Sequence, residues 1–118
     1  MIEYDKERIT DLAYVRELLE GKYIKADNNK NRTSIFFITK INNLMIDEED
    51  NEQISCINMD FSYVLVDQLQ NITMIEESHY SFFRLDTKFF EENSFTTKEE
   101  FINNVNIIIK NIQKGIEK

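Results

Sequence analysis

From Ile54 to Phe90 the chain reads as strand almost without interruption, and this stretch limits what the rest can fold into. It holds ISCINMDFSYVLV, a short polar break, and then ITMIEESHYSFFRLDTKFF. In the first run Ile57, Met59, Phe61, Tyr63 and Leu65 recur at every second position, with Asn58, Asp60 and Ser62 between them. That alternation marks a half-buried strand, and β-branched and aromatic residues suit a pleated surface. Val64 and Val66 fall on the otherwise polar face, so something is expected to cover that end. The second run changes phase between Met74 and Phe83. A bulge near Glu76–His79, or two strands with a turn there, would account for it.

The flanks are expected to cover this sheet. A helix is predicted from about Lys6 to Glu20, with Asp5 as its cap, Ile9, Leu12, Ala13, Arg16 and Leu19 in the i, i+3, i+4 rhythm and Val15 beside them. Gly21 is a natural stop. The polar cluster Asp27–Asn31 reads as a turn, with Lys22, Lys25, Lys30 and Arg32 forming the one locally basic segment. A solvated loop is the ordinary reading of such a segment, and a contact to phosphate or an acidic partner is the functional one. Thr33–Ile41 reads as a strand. Asn42-Asn43 is a candidate hairpin turn, because Asn tolerates positive φ, with one bent strand as the alternative. A short connection is expected over Asp67–Asn71.

The last segment is the clearest helix. Thr96 with Glu99, or Thr97 with Glu100, fits a capping box. Phe101, Val105, Ile108, Ile112 and Ile116 form a stripe, widened by Ile102 and Ile109, while the asparagines and lysines face away and Ile107 falls on the polar side. Asparagine is a poor helix former, so the stripe needs a tertiary partner, most simply the sheet. Residues 1–118 therefore read as a single α+β domain: an N-terminal helix, an antiparallel sheet of three to five strands, and a C-terminal amphipathic helix packed on the sheet. Both helices are expected on one sheet face, as is usual for antiparallel sheets.

Charge narrows the partners. The formal net charge is −8, unevenly spread. Residues 47–100 carry fourteen Asp and Glu against three Lys and Arg, whereas residues 1–46 and 101–118 are net positive by one and two. An acidic surface disfavours direct nucleic-acid binding and anionic membranes, which carry the same sign, and suits a basic protein. No apolar run approaches the ~20 residues of a membrane span. The start, MIEYDKER, lacks the basic-then-apolar order of a secretory signal, so a cytoplasmic location is expected. One cysteine, Cys56, excludes an internal disulfide and a multi-cysteine zinc site. The abundance of Ile, Asn and Lys with little Ala points to an AT-rich genome.

The residues offer little recognisable chemistry. Glu76-x-x-His79 has the spacing of a helical metal pair, but it stands alone and in a strand-like stretch, so no metal is expected. Cys56 and His79 would make a nucleophile and base only if the fold brought them together. Asp60 and Asp86 are the carboxylates within strand runs worth inspecting for acid–base work. Gly21 and Gly115 stand alone, so no phosphate or dinucleotide loop exists and no cofactor is expected. Aromatics do not alternate with Lys and Arg as a single-strand-binding platform requires.

The sharpest feature left is DEEDNEQ at residues 47–53, five of whose first six residues are acidic. It lacks the spacing and central glycine of a calcium loop. The sequence thus points to a small acidic protein-binding module without catalytic residues. An immunity- or antitoxin-type or phage-encoded inhibitor that neutralises a basic enzyme such as a nuclease is the leading expectation. Asp47, Glu48, Glu49 and Asp50 are the partner-binding candidates, with Glu76 and Glu77 second. The alternative is a structural or chaperone-like subunit acting through self-association or sheet-edge binding.

Overall fold

In a computed structural model, residues 1–27, 31–67 and 73–116 are described, with 73–76 by their backbone alone. The elements run α1 (Leu12–Leu19), β1 (Tyr23–Ala26), β2 (Arg32–Glu49), β3 (Glu52–Asp67), β4 (Thr73–Leu85), α2 (Thr87–Glu92), β5 (Asn93–Thr96) and α3 (Lys98–Ile116). The five strands form one antiparallel sheet in the order β4-β3-β2-β1-β5. The expected α+β class, N-terminal helix, antiparallel sheet and C-terminal helix are all present. The turn positions 28–30 and most of the connection after Asp67 lie outside the described residues.

The hairpin turn lies elsewhere than at Asn42-Asn43. β2 runs straight through those residues and turns at Asp50-Asn51, both at positive φ (51° and 67°). Two consecutive left-handed residues make the turn whose twist matches the flanking strands, and Asp and Asn tolerate it best after glycine. β2 absorbs the earlier irregularity as register shifts between Ile38 and Lys40 and between Ile41 and Asn43. It is therefore the single bent strand. In β4 the phase change is a bulge, but it sits between Tyr80 and Phe83 rather than near Glu76–His79, since Ile57 pairs with Phe83 and Met59 with Tyr80.

The helices divide between the two sheet faces, which corrects their expected placement on one. On β2 the neighbours Ile35 and Phe36 belong to different clusters. Phe36, Ile38, Ile57, Met59 and Phe61 pack with Val15 and Leu19 of α1 and Phe89 and Phe90 of α2. Ile35, Val64 and Val66 pack with Ile108, Phe101 and Val105 of α3. Adjacent strand residues point to opposite faces, so α3 covers the face that α1 and α2 do not. Val64 and Val66 do find the cover their position required. The centre of the larger cluster is aromatic: Tyr4 stacks on Phe90 at 3.7 Å, and Phe89 meets Phe83 and Phe90 edge-on.

Local chemistry sets the helix ends. α1 begins later than Lys6: Asp11 caps it through Ala13 N–H at 3.0 Å, while Asp5 instead caps the preceding turn through Glu7 N–H. Gly21, at φ 75°, takes the left-handed position after the helix. Thr87–Phe90, expected as strand, instead belongs to the helix Thr87–Glu92, because Asp86 caps Phe89 N–H at 2.9 Å. Thr97 accepts from Glu100 N–H and starts α3. The Glu100 carboxylate does not turn back to complete the box. It holds Lys25 of β1 at 2.5 Å and accepts from the Thr96 hydroxyl, tying α3 to two strands. Asn104, expected on the solvent side, is buried and donates to Glu100 C=O at 2.8 Å.

Candidate functional site

The acidic run forms the tip of the longest hairpin. β2 and β3 stay paired out to Glu49 opposite Glu52, whereas β4 ends opposite Ser55. Among the described residues, no further strand lies beside the last residues of the hairpin. Asp47, Glu48 and Glu49 end β2, Asp50 occupies the turn, and Glu52 opens β3. All but the half-buried Asp47 are exposed. The hairpin contributes to an elongated molecule with extents of 56 × 26 × 23 Å.

The electrostatics of the tip are unbalanced. Glu49 and Glu52 are directly opposed, an arrangement that costs stability between like charges. Arg84, at the end of β4, donates to Glu49, and Glu49 in turn pushes the guanidinium pKa further up. Among the described residues, Arg84 is the one cation ion-paired with any of these five carboxylates. Asp47 Oδ1 accepts from Glu48 N–H at 3.0 Å, and Asn43 does the same for Leu44 N–H. Those bonds occupy edge donors of β2 that a foreign strand would need. Nearer the sheet, Ile41 is closed off by α1: Glu20 accepts from its N–H at 2.9 Å and Arg16 donates to its C=O at 3.0 Å. This edge is blunted against strand addition, and what the tip offers outward is charge.

Glu76 and Glu77 do not join the tip. They pair with Tyr63 and Ser62, ten or more residues along β3 from Glu52. At ~3.3 Å per residue that is about 30 Å away. Glu52 and Arg84 were missing from the candidates. Glu52 was legible as the last acidic residue of the run at 47–53. Arg84 was not, because its proximity depends on the β4 register.

The other candidate chemistry disperses. Cys56 pairs with Arg84 and His79 with Asp60, so Cys56 and His79 stand four residues apart along β3, roughly 13 Å. That removes the nucleophile–base pair. Cys56 is buried, and burial pushes its thiol pKa up, with Asp47 adding to the effect. His79 Nδ1 lies 2.6 Å from Asp60 Oδ1. This hydrogen bond holds the Asp60 carboxyl below the usual range, with Asn42 contributing. Lys40 pairs with Asp60 across the strands. The result is an exposed row of charge beside an open depression of about 440 Å³ that includes Thr39, Ser62 and Ser78. Asp86 serves as a helix cap. Glu76–His79 is strand, so the helical i, i+3 geometry of a metal pair is not formed. Among the described residues no cluster of potential ligands is placed to hold a metal, and no helix is long and apolar enough to cross a membrane.

An open depression of about 620 Å³ lies at the root of the tip, where Lys6, Arg84 and Lys88 meet Glu49, Asp50 and Asp86. The acidic patch is thus bounded by cations on its inner side and is unopposed at its end. Comparison with protein families, with curated proteins and with solved structures gives no match.

Proposed function

We propose that this chain is a small cytoplasmic protein-binding module of the immunity or antitoxin type, bacterial or phage-borne, which neutralises a basic enzyme such as a nuclease by presenting its acidic hairpin tip. The carrying observation is the concentration of Asp47, Glu48, Glu49, Asp50 and Glu52 at the free end of the β2–β3 hairpin against one ion-paired arginine. Mutual repulsion makes that arrangement unfavourable for folding, and a cationic partner relieves it. Complementary charge of this kind accelerates encounter and fixes orientation.

The test is a pull-down from native-host lysate with wild type and with the Glu48→Lys/Glu52→Lys double variant, eluted with rising salt. A stoichiometric basic protein held by wild type, released by salt and lost with the variant, is expected. Equal recovery with both chains would remove the tip as the binding site.

A second reading, a structural or chaperone-like subunit, has one observation in its favour. β4 is an edge strand of thirteen residues with Tyr80 and Phe82 exposed, and its outer side pairs with no strand among the described residues. Long open edges are templates for an added strand. Capture of extended peptides that is independent of the tip charges would favour this reading.

A further inference from the structure

Only part of the apolar surface of α3 meets the sheet. Ile108 is buried, and Phe101 and Val105 are half-buried beside it. Ile102, Ile109, Ile112 and Ile116 remain 42, 45, 57 and 78 % exposed. Together with Val105 these four follow a 3-4-3-4 spacing: Ile102, Val105, Ile109, Ile112, Ile116. That is the repeat by which one helix packs knobs into the holes of another. At ~100° per residue the seam lies about a quarter turn round the helix from the buried side. It forms a flank of α3, while the crest carries Asn103, Asn106, Lys110 and Gln113. A scattering of exposed apolar residues needs no explanation, but a continuous seam at heptad spacing does.

We infer that the seam is the interface between two copies of this chain, packed antiparallel through α3. Three observations choose this occupant. First, the spacing is that of a helix partner, and α3 supplies a helix carrying the same seam. Second, two copies of a chain of net charge −8 repel unless they meet where acid is scarce. Along the seam from Ile102 to Ile116 the helix carries Lys110 and Lys114 and no acidic residue. Third, antiparallel packing opposes the helix dipoles and brings Glu99 in the first turn of each helix toward Lys114 in the last turn of the other, Glu100 being already held by Lys25. With Ile109 on the two-fold axis, Ile102 faces Ile116, and Val105 falls within one residue of Ile112. The contact is isologous and closes at two. A stable interface covers ~800 Å² per partner, more than five such side chains offer, so dissociation is expected on the order of micromolar.

Sedimentation velocity across micromolar concentrations tests this. Wild type is expected to pass reversibly from monomer to dimer. Ile109→Asp should remain monomeric throughout and keep the wild-type circular dichroism, because residue 109 is 45 % exposed and belongs to neither core cluster. Ile107→Asp, on the polar side, should dimerise like wild type. Should Ile109→Asp disturb the helix, Ile109→Asn provides the same readout. Oxidative cross-linking fixes orientation: an Ile102→Cys chain mixed with an Ile116→Cys chain should link to each other, and Ile102→Cys should not link to itself. A wild-type monomer at every concentration overturns the proposal and leaves the seam to a different protein. A dimer unaffected by Ile109→Asp overturns it in favour of another face, such as the β4 edge.

Discussion

At the level of single residues, the informative side chains are those whose partners lie far away in sequence. Glu100 joins α3 to β1 through Lys25 and to β5 through Thr96, and Lys25 is the main reason its carboxyl is held below the usual 4.5. A carboxyl depressed by folding contributes stability that is complete above 4.5 and fades as pH falls through its folded value. Glu100→Gln is expected to cost about 1 kcal/mol at neutral pH, the scale of a partly screened charged hydrogen bond. In urea titrations the gap between the two chains should close as pH drops below 4.5; a gap unchanged by pH would mean the charge contributes nothing. At the tip, Glu52→Lys converts an opposed like-charge pair into an attractive one. It should stabilise the fold by ~0.2–1 kcal/mol while weakening partner capture, the trade expected of a functional site that folding alone would not retain. Cys56 is buried with its thiol pKa raised, so in the native state it should react with a thiol reagent far more slowly than in the urea-unfolded chain.

Among the elements, the β2–β3 hairpin decides the most, because its turn fixes the register of both strands. Asp50 and Asn51 sit at positive φ, where alanine pays roughly 1–2 kcal/mol per residue. Asp50→Ala/Asn51→Ala should therefore lower the denaturation midpoint clearly, and Asn51→Gly should raise it. Opposite results would place the turn elsewhere. The strands themselves were legible, since Ile57, Met59 and Phe61 keep period two and do face one cluster. The turn was not, because Asn42-Asn43 and Asp50-Asn51 carry equally tolerant residues; a register shift near Asn42, which no local rule announces, separates them. The α2 helix was hidden for a related reason. Thr87–Phe90 continues an apolar-polar pattern, and only the Asp86 cap turns it helical. The position of α3 depended on Ile35 and Phe36 belonging to different faces, which a strand apolar on both sides leaves open. Likewise the acidic run was visible at once, but its place at the free end of a hairpin, away from Glu77, followed only from the register.

For the molecule as a whole, the two proposed surfaces lie toward opposite ends of the sheet. α3 packs over Val64 and Val66, twelve or more residues along β3 from Glu52, a separation of about 40 Å. Both therefore operate at once: a dimer joined through α3 leaves its two acidic tips clear of the apolar seam. Two sites this far apart without shared partners should act additively. Ile109→Asp should leave the association rate of a single tip with its basic partner unchanged and reduce only the avidity gained from two tips. Glu48→Lys/Glu52→Lys should slow association without weakening the dimer. Salt separates the two further. The tip interaction is between exposed charges, screened within ~8 Å at physiological ionic strength, so its association rate should fall steeply as salt rises. The seam is apolar, and its dimerisation constant should hold or strengthen over the same range. Stopped-flow association and sedimentation in parallel salt series distinguish these slopes. Equal salt dependence of the two processes would mean that one surface serves both, and the two-ended arrangement would be wrong.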